Sequence, residues 1–206
     1  MKGIISTIRL LCLAAALLAS PAFAQDRHPD VIFVPTPQEV VEDMLRLVDV
    51  KKGDVLYDLG SGDGRIPVTA AKKYGVRAVG IDIDPHRIKE ANENAKKAGV
   101  TRLVEFRNED LFKANFKEAT VVTLYLLPDL NLKLRPRLLA ELKPGTRIVS
   151  HQFDMGDWAP EKKLDSNGRT VYFWTIPARG KGKKELRRSR AAETYVKSSR
   201  PATSTP

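Results

Sequence analysis

Cysteine is almost missing from this chain: Cys12 is the only one in 206 residues. It sits inside an apolar run near the N-terminus, so a chain trimmed of that run carries no thiol, which suits an oxidising compartment. Histidine, cysteine and aspartate nowhere cluster at metal-ligand spacing, and no metal is expected. No G-x-x-x-x-G-K-[ST] element occurs, which excludes a phosphate-cradling P-loop. No internal repeat is visible. Once a leader and a tail are set aside, the length leaves one domain with room for a full core and no second domain of any size.

Basic charge is plentiful, but little of it lies on the candidate domain. The formal charge is +10. Residues 178–206 hold nine Lys/Arg against Glu185 and Glu193, a net +7, and residues 1–24 add Lys2 and Arg9. About +1 remains for residues 25–177. A nucleic-acid enzyme carries its basic surface on the folded domain, so no specific nucleic acid is expected. The Lys/Arg/Ser-rich end reads as a disordered tail whose role is solubility or a weak contact with acidic surfaces. Residues 1–24 read as a signal peptide. The start is basic, residues 10–18 are apolar and too short to span a membrane comfortably, and Ala22-Phe23-Ala24 is an A-x-A cleavage site. That predicts a periplasmic or secreted protein, with an uncleaved anchor or cytoplasmic retention as the alternative.

The stretch Val55-Leu56-Tyr57-Asp58-Leu59-Gly60-Ser61-Gly62-Asp63-Gly64-Arg65 organises the domain. An apolar run ending in an acid predicts a buried parallel strand. The glycines predict a tight loop facing a ligand at the carboxyl edge of a sheet, and a helix follows from Ile66. The spacing departs from the dinucleotide fingerprint. Asp58 and Asp63 would repel a pyrophosphate and attract a cation. S-adenosylmethionine, with its sulfonium and ammonium, suits this loop better than NAD.

The rest follows in chain order. Thr36 reads as an N-cap, with Pro37 at the first helical position and Glu39 completing a capping box. The helix after it either packs on the sheet or lids the cofactor. A second strand ends at Asp82-Ile83-Asp84, where Asp82 suits the two ribose hydroxyls and Asp84 caps the next helix. Residues 103–107 form a third strand. Asp110 beyond it either accepts from the adenine amino group or caps a turn. Residues 119–126 form a fourth strand, leading to Tyr125 and Asp129 near the transferable methyl. A helix over residues 130–142 is interrupted near Pro136. A fifth strand covers 147–153, and Asn167-Gly168 joins strands near 161–164 and 170–176 as a hairpin.

Residues from about 31 to 176 resemble the class I methyltransferases. They are most similar to the broad-specificity protein-lysine methyltransferases of archaea and the mitochondrial relatives that modify the ATP synthase c-ring. The glycine stretch and Val79-Gly80-Ile81-Asp82 carry the class-wide likeness. Val34-Pro35-Thr36-Pro37, Glu118-Ala119-Thr120-Val121-Val122-Thr123, Leu142-Lys143-Pro144-Gly145-Thr146-Arg147 and Val149-Ser150-His151 carry the narrower one. The leader and the tail lie outside the likeness. The resemblance implies an α/β, Rossmann-like fold with a seven-stranded, mostly parallel sheet and helices on both faces. It also implies S-adenosyl-L-methionine as cofactor and a protein with an accessible lysine as acceptor. A monomer is expected. Expected cofactor contacts are Asp58, Gly60, Ser61, Gly62, Asp82, Ile83 and Asp110; Tyr125, Asp129 and His151 face the acceptor. No obligatory base is identified. Lack of an Asn/Asp-Pro-Pro-Tyr/Phe motif after the fourth strand counts against amino-methylation of bases. Transfer to a small molecule or envelope component, and a non-catalytic exported binding module, remain as other readings.

Overall fold

The computed structural model describes residues 33–178; the leader and all but the first residue of the basic tail lie outside them. The elements are α1 (Gln38–Leu47), β1 (Val55–Leu59), α2 (Arg65–Tyr74), β2 (Arg77–Asp82), α3 (Pro85–Ala98), β3 (Val104–Asn108), β4 (Val121–Leu124), α4 (Pro128–Glu141), β5 (Arg147–His151), β6 (Lys162–Ser166) and β7 (Arg169–Thr175). One seven-stranded sheet runs in the order β3-β2-β1-β4-β5-β7-β6. The first five strands are parallel, and β7 pairs antiparallel with both β5 and β6. Chain order reverses between β1 and β4, and open sheets of this kind bind ligands outside the carboxyl ends at that point.

Alternation along the strands builds two cores. Tyr57, Leu59, Val79, Ile81, Val122, Leu124 and Ile148 pack on one face with Leu134 and Leu138 of α4. Leu56, Ala78, Val121 and Val149 pack on the other with Val40, Val41, Met44 and Leu45 of α1 and Ile66 and Ala70 of α2. The side-chain period of two places Asp58 and Thr123 on the α1/α2 face. The register sets them directly opposite each other on β1 and β4.

Asp84 caps α3 as expected, accepting the His86 N–H at 2.8 Å. The Asn167-Gly168 pair has positive φ at both positions (51° and 76°), the requirement of a type I′ hairpin. Two expectations need correction. Thr36 does not cap α1: Pro37 occupies that place without a side-chain cap, and the Thr36 hydroxyl meets His151 instead. The tertiary partner outcompetes the local one. Pro136 does not interrupt α4, because Leu134, Arg135 and Leu138 on either side of it are all buried and hold both halves in line. The fourth strand is also shorter than its apolar run. The sequence beyond Leu124 leaves the sheet, and Tyr125 and Leu126 turn to line a cavity.

Candidate functional site

The glycine loop is clamped from three sides. Below it, the Gly60 and Ser61 N–H groups both donate to the Ile81 carbonyl, at 2.8 and 3.0 Å. Beside it, Asp82 accepts from Gly62 N–H at 2.8 Å through one oxygen and from Asp84 N–H at 2.9 Å through the other. Above it, Phe33 crosses Gly62 so closely that a Cβ there would lie 2.2 Å from the ring. Gly62 also has φ +52°, so the position needs glycine twice over. The Arg87 guanidinium lies over the Phe33 ring, 4.7 Å from its centre. Arg65 donates to both Asp63 oxygens and to the Thr36 carbonyl. Residues 33–36 therefore strap the loop while α1, directly after them, packs on the sheet. Of the two roles anticipated for this segment, packing on the sheet is present.

A cavity of about 330 Å³ opens under the strap, within the usual range for a small-molecule site. Asp58, Gly60, Ser61, Asp82, Ile83 and Asp110 line it, and so does Tyr125; Gly62, expected among the contacts, does not line it and gives its N–H to Asp82 instead. Asp58 is buried and accepts from the Thr123 hydroxyl at 2.7 Å. Burial pushes its carboxyl up to about 8, and the neighbouring Asp82 and Asp63 push in the same direction against the Thr123 bond. Burial likewise raises Asp82, against the N–H groups it holds. Asp63, expected to share in drawing a cation, is instead neutralised by Arg65. Two carboxyl groups, Asp58 buried and Asp82 half-buried, thus face the cavity without a cationic partner among the described residues. Each Asp82 oxygen still has acceptor capacity for a hydroxyl, since an ionised carboxylate offers about four acceptor sites. The Ser61 hydroxyl is buried and unpartnered among the described residues. This donor and acceptor set fits a ligand that brings hydroxyls and positive charge. Asp110 accepts from Phe112 N–H at 2.9 Å while lining the cavity, so it caps its turn at the cavity's edge.

The far wall is aromatic. Tyr125 faces the cavity, with the His151 ring 4.0 Å behind it and Phe153 stacked at 6.2 Å. His151 is buried, with Nδ1 3.2 Å from the Thr36 hydroxyl and Nε2 unpartnered among the described residues. Burial, aided by Arg169, pulls its pKa down to about 4, so the ring is neutral at physiological pH. It backs Tyr125 and does not line the cavity. Asp129 is exposed in the first turn of α4 and does not line it either. The parts played by Phe33, Arg65, Arg87 and Phe153 are not legible in the sequence. These residues meet the site through tertiary packing; the one cue is that Phe33 and Arg65 flank recognisable motifs.

A family model described as the ANTKMT methyltransferase domain matches residues 58–162. The chain is 46% identical over 153 residues to a protein-lysine N-methyltransferase of Saccharolobus islandicus (strain REY15A), covering 72% of this chain and 95% of the relative. It is 33% identical over 169 residues to the adenine nucleotide translocase lysine N-methyltransferase of Mus musculus, covering 81% of this chain and 72% of the mouse protein. A second mouse relative, the lysine N-methyltransferase of the ATP synthase c-subunit, is 33% identical over 151 residues, covering 73% of this chain and 60% of that protein. Among solved structures, one from Salinibacter ruber is described as an RNA methyltransferase in complex with S-adenosyl-L-homocysteine. It is 63% identical with a TM-score of 0.69, covering 70% of this chain and 94% of that one.

Proposed function

Because the chain belongs to the ANTKMT methyltransferase family, whose fold and S-adenosylmethionine dependence it shares, we propose that its acceptor is the side-chain amine of a protein lysine. The observation that carries this reading is the chemistry of the cavity mouth. Exposed Phe33 and Val34 and half-buried Leu130 line it, and Leu127 and Asp129, neighbours in sequence of the lining residues Leu126 and Leu130, are exposed. The two arginines in its lining are already engaged, Arg65 by Asp63 and Arg87 by Asp84 and Glu90. A long apolar side chain ending in an amine meets complementary walls there. A phosphate backbone would meet carboxylates and no unengaged arginine, whereas polyanion binding draws on clusters of available Lys and Arg.

In this reading Asp82, held by the Gly62 N–H, takes the ribose hydroxyls and Asp58 faces the positive end of the cofactor, with Gly60, Ser61 and Ile83 shaping the floor and Asp110 the edge. The cofactor supplies a methyl group on a positively charged sulfur. Tyr125, backed by His151, walls the acceptor channel. A free lysine amine has a pKa near 10.4 and must shed its proton before it can attack. A dry channel and a nearby positive charge both favour the neutral amine. His151 is too acidic to take that proton, so the protein's contribution is alignment of the reactants. Asp129 at the rim attracts the lysine on approach.

The Salinibacter ruber relative favours a second reading, transfer to RNA. One experiment separates the two: radiolabelled cofactor is incubated with the purified chain and either total cell protein or total RNA. Label recovered as methyl-lysine after protein hydrolysis supports the proposal, and label confined to RNA overturns it. The export reading of residues 1–24 is part of the same proposal; fractionation of the untagged chain tests it, and full retention in the cytosol overturns it.

A further inference from the structure

Tyr125 is held between two other rings. His151 lies tilted at 36° against it and Phe153 stacks at 17°. Both backing rings are fixed in turn. His151 is tied to Thr36. The Phe153 carbonyl accepts from the Ser150 hydroxyl at 2.6 Å and from the buried Asn131 amide, which also holds the Asp154 carbonyl. Buried Arg135, one turn further along α4, binds the Met155 carbonyl and Asp157. Two buried polar side chains on one helix thus lock the loop that supports the ring. Yet Tyr125 lines the cavity, and its hydroxyl has no hydrogen-bond partner among the described residues.

We propose that Tyr125 sets how many methyl groups one lysine receives, its hydroxyl orienting the amine and its ring face receiving the methylated product. This rests on the protein-lysine reading. In each round the amine lone pair forms the N–C bond as the C–S bond breaks. The bonding pair stays on sulfur, and one proton leaves nitrogen for solvent. An unmethylated amine offers two N–H groups, a monomethyl amine one and a dimethyl amine none. The hydroxyl accepts such an N–H and turns the lone pair toward the methyl carbon, so its help fades with each round. The ring's attraction for a methylated ammonium does not fade. Tyr125 therefore favours the first transfer over the third.

The test uses the cell protein that the parent enzyme labels most strongly, offered unmethylated and after reductive dimethylation of its lysines with formaldehyde. For Tyr125→Phe, the ratio of third-round to first-round rate rises on the order of fivefold, the size of one ordinary hydrogen bond. Tyr125→Ala, which also loses the ring, slows both rounds. An unchanged ratio in Tyr125→Phe overturns the proposal, because a merely structural role slows both rounds alike. So does a loss of cofactor affinity by calorimetry, which would assign the hydroxyl to the cofactor. Failure of the parent itself to make methyl-lysine overturns the underlying function, and it is seen before any variant enters.

Discussion

On the proposed reading Asp58 and Asp82 carry opposite demands: the fold shields them from water, and the cofactor needs them charged. For Asp58 the folded pKa of about 8 stands above its ordinary value of 3.8. Its stabilising contribution is therefore complete below pH 4 and is lost as pH rises toward 8. His151 works the other way. Its folded value of about 4 lies below the ordinary 6.5, so its contribution is present above pH 6.5 and lost as pH falls through 4. The two oppose each other between pH 4 and 6.5, leaving pH 6.5–8 as the window where Asp58 alone of the pair changes stability. There the cofactor-free protein should lose about 2 kcal/mol of stability, and Asp58→Asn should flatten the loss; chemical denaturation across the window measures both. A positive ligand beside Asp58 ionises it, so cofactor binding in this range should release a proton, read by calorimetry in buffers of different ionisation heat. Asp82→Asn keeps the shape but weakens the acceptor. Gly62 N–H depends on it and, on the proposed reading, so do the ribose hydroxyls, so cofactor affinity should fall roughly 10- to 100-fold, since hydrogen bonds to a charged group are worth about 1.5–3 kcal/mol each.

At the scale of elements, the strap and the glycine loop act as one unit. Gly62→Ala forces a left-handed alanine and drives its Cβ into Phe33. The left-handed backbone alone costs about 1–2 kcal/mol, and the collision adds to it. Cofactor affinity and urea midpoint should both drop, and Phe33→Ala in the same chain should recover the part owed to the collision. If the double variant recovers nothing, Phe33 does not strap the loop. This contact also marks where sequence reasoning stops. β1, the glycine loop, β2 with Asp82, and the Asn167-Gly168 hairpin are legible because each is written in adjacent residues. Thr36 reads as a cap only because its true partner, His151, is 115 positions away. Asp63 reads as a cation ligand only while Arg65, two residues on, is not seen to fold back on it. His151 and Asp129 do lie near strand or helix ends, but alternation along a strand does not tell a wall residue from the one behind it.

Across the whole molecule, charge and chemistry are separated. The described fold carries the cavity with an acidic and apolar mouth, while nine Lys/Arg lie in residues 178–206. Among the described residues the seven strands and the two larger cores lie before that tail, so removing residues 179–206 should leave the fold, cofactor affinity and lysine methylation within about twofold of the full chain, by the usual independence of distant sites. Polyanion binding should behave differently. Retention of the full chain on RNA should fall steeply with salt, because each phosphate neutralised by a basic side chain releases counterions, and the shortened chain should not be retained. Methyl transfer to protein lysine, governed by the apolar mouth, should change little over the same salt range. If shortening instead abolishes lysine methylation while transfer to RNA persists at low salt, the acceptor is recognised by the fold as a nucleic acid, and the assignment of the mouth to a lysine side chain fails.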